Sequence, residues 1–147
     1  MKIAIGSDHG GLEHKNAIVE HLKNRGFEVV DSGVYELVSV DYPDIAVKVC
    51  DNIISGECEL GILVCGTGIG MSIAANKVKG IRAAACSEHF SAKYTRLHNN
   101  SNILCLGGRV VGIGTAIELV DIFVDTAFEG GRHANRIAKI SDIENKN

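Results

Sequence analysis

Tryptophan is absent from this chain, proline occurs once, and all aromatic residues together make up 5%. The core must therefore be aliphatic, built from Ile, Val, Leu and Ala. There is no basic excess: 15 Lys and Arg stand against 18 Asp and Glu, a formal charge of -3. No stretch is rich in Lys and Arg, so the electrostatic footprint of a nucleic-acid binder is missing. No apolar run approaches the roughly 18 residues that a membrane span needs. Met1–Gly6 is too short for a secretory signal and reads instead as a first strand. The five cysteines (Cys50, Cys58, Cys65, Cys86 and Cys105) are odd in number, and none sits in a CxxC pair. That speaks against a disulfide framework and against a zinc site. It fits a reducing compartment, so the cytoplasm is the expected location. Most of these thiols should act as small buried hydrophobes.

What is present is a pattern for one domain spanning residues 1–147, with 46% apolar and 22% charged residues. Five short apolar runs, Lys2–Gly6, Phe27–Val30, Leu60–Val64, Ile81–Ala85 and Ile103–Leu106, read as strands. They are nearly continuous in apolar character, as strands covered on both faces are. Amphipathic segments lie between them. Leu12, Ile18, Val19 and Leu22 form a stripe that stops at Gly26. Pro43 and Asp44 suit the first turn of a helix carrying Ala46, Val49, Cys50 and Ile53. Thr115 and Glu118 have capping-box spacing ahead of Leu119, Val120, Phe123 and Val124. A last helix is predicted from about Arg132 towards Ile143, with a thin apolar face of His133, Ile137 and Ile140 that hints at packing on another subunit. Glu144–Asn147 reads as a loose tail. Alternating β and α elements with right-handed crossovers predict an α/β fold: a three-layer sandwich around a five-stranded parallel sheet, with an extra C-terminal helix.

In such sheets ligands bind beyond the carboxyl ends of the strands, so the loops there carry the chemistry. After the first strand comes Ser7-Asp8-His9-Gly10-Gly11, a titratable pair beside exposed amides; Ser7 or Asp8 as a helix cap is the plain alternative. After the third comes Cys65-Gly66-Thr67-Gly68-Ile69-Gly70-Met71. Its glycines let backbone amides approach an anion, either a phosphate or an oxyanion formed during reaction. A thiol at a strand end beside such a loop and the start of a helix makes Cys65 a candidate base or nucleophile. The GxGxG spacing differs from the GxGxxG of dinucleotide binders. Met71 occupies the position where a cysteine phosphatase loop needs Arg. The alternative for Cys65 is a buried small residue among turn-forming glycines. His98, in the polar run His98-Asn99-Asn100-Ser101-Asn102, is of a residue type that suits general acid–base work, or is a surface histidine. Arg132 and Arg136, four apart at the start of the last helix, suit a phosphate dianion, or are solvated surface groups. Arg109, after a glycine pair, joins them only if the fold or a second subunit brings it close.

Taken together, Gly6–Gly11, Asp41–Asp44, Cys65–Ser72, Ala74–Lys77, His98–Asn102 and Glu129–His133 strongly resemble the ribose-5-phosphate isomerase B family, which also includes galactose-6-phosphate isomerase subunits. The resemblance spans nearly the whole chain. It implies a Rossmann-like fold and a homodimer, or a pair of dimers, with active sites shared between subunits. It also implies aldose–ketose isomerisation of a sugar phosphate in the pentose phosphate pathway, with neither metal nor organic cofactor. By position, Cys65 corresponds to the family's base and His98 to its ring-opening acid. Thr67 and Asp8 stand beside them, Asp8 either chemically or as an orienting group. Asp8, His9, Gly66, Thr67, Gly68, Ile69, Gly70, Asn99, Arg109, Arg132 and Arg136 correspond to substrate contacts. Some relatives carry a glutamate base in the glycine loop; Gly66–Met71 contains no acidic residue, which leaves Cys65 as that loop's only candidate.

Overall fold

The apolar runs become one parallel sheet in the computed structural model, which describes residues 1–147. Its strands are β1 (Lys2–Ser7), β2 (Glu28–Asp31), β3 (Leu60–Cys65), β4 (Ala83–Ala85) and β5 (Ile103–Gly107), in the order β2-β1-β3-β5-β4. Alternation along each strand divides the apolar side chains between two faces. Ile3, Ile5, Ile62, Val64, Leu104 and Leu106 share one core with α1 (Leu12–Asn24), α4 (His89–Asn99) and α5 (Ile113–Asp125). Ala4, Leu63, Cys65, Ile103 and Cys105 share the other with α2 (Tyr42–Ile54) and α3 (Ile69–Ala75). Two covered faces explain why the strands are apolar throughout. A final helix, α6 (Arg132–Asn145), packs beside α4.

Strand order reverses between β1 and β3: the chain leaves β1 for β2 on one side and β3 for β5 and β4 on the other. The loops after β1 and β3 therefore diverge and leave a crevice between them. The register Ser7↔Val64 ends both strands at the same level.

Several boundaries differ from the sequence reading. β4 is shorter than Ile81–Ala85, and β2 ends one residue later than expected. α5 begins at Ile113 with Gly112 as its cap, so Thr115 lies inside the helix and caps nothing. Glu118 instead contacts His89 Nε2 at 2.7 Å. The predicted loose tail is helical over its first half, since α6 runs to Asn145. His98 sits on the last turn of α4 rather than in a loop. The stop at Gly26 holds: its φ of +90° closes α1, with its N–H donating to the Lys23 carbonyl.

One buried charge ties the layers together. Lys15 is fully buried on α1, and its Nζ donates to Asp31 Oδ2 at 2.6 Å. Asp31 Oδ1 accepts from the Gly33 N–H at 2.9 Å and so shapes the chain leaving β2. Asp31→Ala strands the ammonium without a partner; the expected loss of about 3 kcal/mol would be read from the urea unfolding midpoint.

Candidate active site

Three loops meet over the crevice. Asp8 caps the single 3-10 turn His9–Gly11, its Oδ1 accepting from the Gly10 N–H at 2.8 Å. The cap offered as the plain alternative is therefore formed, by Asp8 and not Ser7, and it holds a carboxylate, 8% exposed, at the end of β1. His9 beside it is exposed. The turn lies so close to the next loop that a Cβ on Gly10 would be 3.3 Å from the Gly66 nitrogen. A Cβ on Gly108, after β5, would come within 2.7 Å of the Gly10 carbonyl. A side chain would overlap backbone at Gly108 and be tightly squeezed at Gly10.

Cys65 is the last residue of β3 and is 5% exposed. Its sulfur accepts from the Gly68 N–H at 3.1 Å. Gly68 makes that reach with φ +79°, a conformation that L side chains avoid. Thr67 is exposed, and its hydroxyl accepts from the Ile69 N–H at 3.2 Å. The N–H groups of Gly66, Thr67, Gly70 and Met71 make no hydrogen bond within the chain. Unpaired backbone donors beside one sulfur form a nest for negative charge. Arg109 adds a full charge: its N–H donates to the Gly66 carbonyl at 3.0 Å, and its guanidinium lies over Gly66. Tyr42, at the start of α2, lays its ring against Gly70. Sequence reading found the Tyr42 segment but assigned its side chain no part; only the approach of α2 to α3 reveals it.

A second cluster forms elsewhere. His98 stacks on His133, with ring centroids 4.1 Å apart and planes 12° from parallel. Tyr94 meets His98 edge-on at 4.9 Å. Glu129 Oε2 lies 3.6 Å from His98 Nε2 and 4.0 Å from His133 Nε2. Arg132 and Arg136 stand exposed on the same helix as His133, and Asn99 is exposed beside His98. Enclosure lowers the pKa of His133, as do the neighbouring charges of His98, Arg132 and Arg136, against the pull of Glu129. The donor atoms of His98, Glu129 and His133 fall within 4.8 Å of one another. Nearly parallel rings, however, point their lone pairs side by side, and cannot both reach one ion at bond lengths of about 2.1 Å. Glu129 was given no role, and His133 only a place on the apolar face of the last helix; their i, i+4 spacing is the signal that links them.

Within one protomer the clusters do not meet. Just past His98, Asn102 accepts from the Gly61 N–H, at the start of β3, whereas Cys65 ends that strand. The four extended steps from Gly61 to Cys65 separate the two levels by roughly 13 Å. Arg109 belongs with Cys65, apart from Arg132 and Arg136. Of the expected substrate contacts, His9 and Arg109 thus lie at one end of the sheet, and Arg132 and Arg136 at the other.

The family model described as Ribose/Galactose Isomerase matches residues 3–140. A relative from Escherichia coli (strain K12), ribose-5-phosphate isomerase B, is 48% identical over 99% of this chain and 97% of its own. Among solved structures, Clostridium thermocellum ribose-5-phosphate isomerase B superposes with a TM-score of 0.98 at 55% identity, covering 99% of both chains. The Mycoplasma genitalium ribose-5-phosphate isomerase B, solved with bound ribulose-5-phosphate, gives 0.95 at 46% identity over 99% of this chain and 97% of its own.

Proposed function

The chain belongs to the ribose/galactose isomerase family, and from that premise we propose that it interconverts ribose 5-phosphate and ribulose 5-phosphate by proton transfer through a cis-enediolate. The observation that carries the reading is the sulfur of Cys65 at the edge of a nest of unpaired amides. A thiolate there takes the proton from C2 of the open aldose. The electron pair moves into the C1–C2 bond, and negative charge gathers on oxygen. The loop amides and the Thr67 hydroxyl stabilise that charge more than the ground-state carbonyl, which is what lowers the barrier. A hydroxyl proton passes from O2 to O1 across the cis-enediolate, and the thiol then returns its proton to C1, giving the ketose.

The sugar arrives mostly as a closed ring, so a group must first move protons between the ring oxygen and the anomeric hydroxyl. His98 is that group. Its distance from Cys65 within one protomer makes a shared site the simplest arrangement: Cys65, Asp8, His9 and Arg109 come from one subunit, and His98, Asn99, Arg132 and Arg136 from its partner in a homodimer. The two halves of the clamp then close on the phosphate together, and its binding energy positions C1 and C2. Arg136→Ala is expected to raise KM for ribose 5-phosphate about tenfold or more, with kcat changed far less. An unmoved KM in steady-state kinetics removes Arg136 from the clamp.

The direct test incubates EDTA-treated protein with ribose 5-phosphate and assays ribulose 5-phosphate. Formation of the ketose supports the proposal; no conversion overturns it. A parallel panel of allose and galactose 6-phosphates separates pentose from hexose preference, because one further carbon lengthens the span from phosphate to C2. A non-catalytic sugar-phosphate-binding regulator would bind in these assays and convert nothing.

A further inference from the structure

His133 has no part in the chemistry above, yet it is among the few polar side chains the fold encloses, at 4% exposure. Its Nε2 is buried without a hydrogen-bond partner. Leaving a buried polar nitrogen unpaired costs folding free energy, so a residue kept there is kept for something other than stability. What the ring does is stack. Its face covers the face of His98 at 4.1 Å, while Tyr94 closes an edge and is itself stacked on Phe90 at 4.2 Å. A side chain on the last turn of a helix, which would otherwise swing freely, is fixed in plane.

Glu129 acts on the same ring. At 3.6 Å from His98 Nε2 its carboxylate is near enough to attract a protonated imidazole and too far to hold its proton in a hydrogen bond. His98 is thus oriented with Nε2 still free to exchange a proton with a substrate oxygen. The groups facing the imidazole are Tyr94 from α4, Glu129 from the segment before α6, and His133 from α6, with Arg132 and Arg136 nearby on that helix. Enclosure and the neighbouring charges of His98, Arg132 and Arg136 lower the pKa of His133, against the pull of Glu129, which disfavours two cations face to face in the stack.

We propose that His133 and Glu129 are positioning residues for His98, fixing the imidazole plane so that it opens the sugar ring, and that they have no part in the proton transfer at Cys65. The inference rests on the isomerase reading and deepens it.

The two steps are separable by substrate. Ribose 5-phosphate closes a ring through O4, whereas ribulose 5-phosphate cannot, because its O5 carries the phosphate. Exchange of a C1 hydrogen of ribulose 5-phosphate with D2O therefore reports on proton transfer alone. The experiment compares ribose 5-phosphate turnover with that exchange, followed by NMR, in the wild type, His133→Ala, His133→Phe and Glu129→Gln. His133→Ala is expected to slow turnover at least about tenfold, and Glu129→Gln severalfold, with exchange within about twofold of wild type. His133→Phe, which keeps a ring face and discards both nitrogens, is expected to recover most of the turnover. Turnover and exchange falling together in the variants, or neither changing, overturns the proposal. The exposed Glu129 gives a variant whose folding is not at risk. A wild-type protein that neither turns over nor exchanges would overturn the isomerase reading itself.

Discussion

Cys65→Ala should lower kcat for ribose 5-phosphate by about 10³-fold, the scale of a lost general base, with substrate affinity nearly kept. The substitution deletes one sulfur from the end of β3 and leaves the loop's glycines, amides and Arg109 where they are. Binding depends on those groups; proton removal depends on the sulfur. No other thiol can replace it. Burial pushes Cys50 and Cys86 up to about 11, and raises Cys58 and Cys105 in the same direction. All four are enclosed in the protomer. Circular dichroism checks the fold, and isothermal titration with the product checks affinity. Cys65→Ser should be nearly as inactive, since a hydroxyl of similar size ionises far less readily. Normal turnover in either variant would remove the sulfur from the mechanism, whereas joint loss of turnover and affinity would recast it as a structural residue.

A second large effect is expected from mixing two inactive proteins. Cys65→Ala and His98→Asn subunits are each deficient as homodimers. If sites are shared, a heterodimer of the two contains one site with both substitutions and one with neither. Random reassembly of equal amounts makes half the dimers hybrid, each with one intact site, so recovery should reach about a quarter of wild-type activity. Denaturing and refolding the mixture, then assaying against each variant treated alone, measures it. Activity that never exceeds the sum of the two variants would mean that Cys65 and His98 do not work across an interface. The geometry motivating this test is the separation of roughly one strand length between the sulfur and the imidazole.

The two cases also show how far a one-dimensional reading reaches. Strand runs such as Leu60–Val64 and the stop at Gly26 were legible because local rules govern them: continuous apolar character for a doubly covered strand, a positive φ for a helix end. The Cys65–Met71 loop was legible for the same reason, its glycines being adjacent in the chain. The Thr115–Glu118 pair misled because the spacing that makes a capping box also occurs inside a helix, and Gly112 took the cap. The Lys15–Asp31 pair was invisible, since nothing in an amphipathic stripe marks one lysine for burial against the neighbouring strand.

By itself, then, the chain's order of residues determined the layer architecture, the position of the glycine-rich loop and the identity of the sulfur within it, because each depends on neighbours a few positions apart. Tertiary structure alone decided what meets what. It set Arg109 over Gly66 and Tyr42 against Gly70, and it stacked His133 on His98. It also held Cys65 and His98 apart at opposite ends of one sheet. Such contacts follow from the strand order β2-β1-β3-β5-β4 and from the direction in which each helix returns along the sheet. These are global packing choices, and no local spacing encodes them.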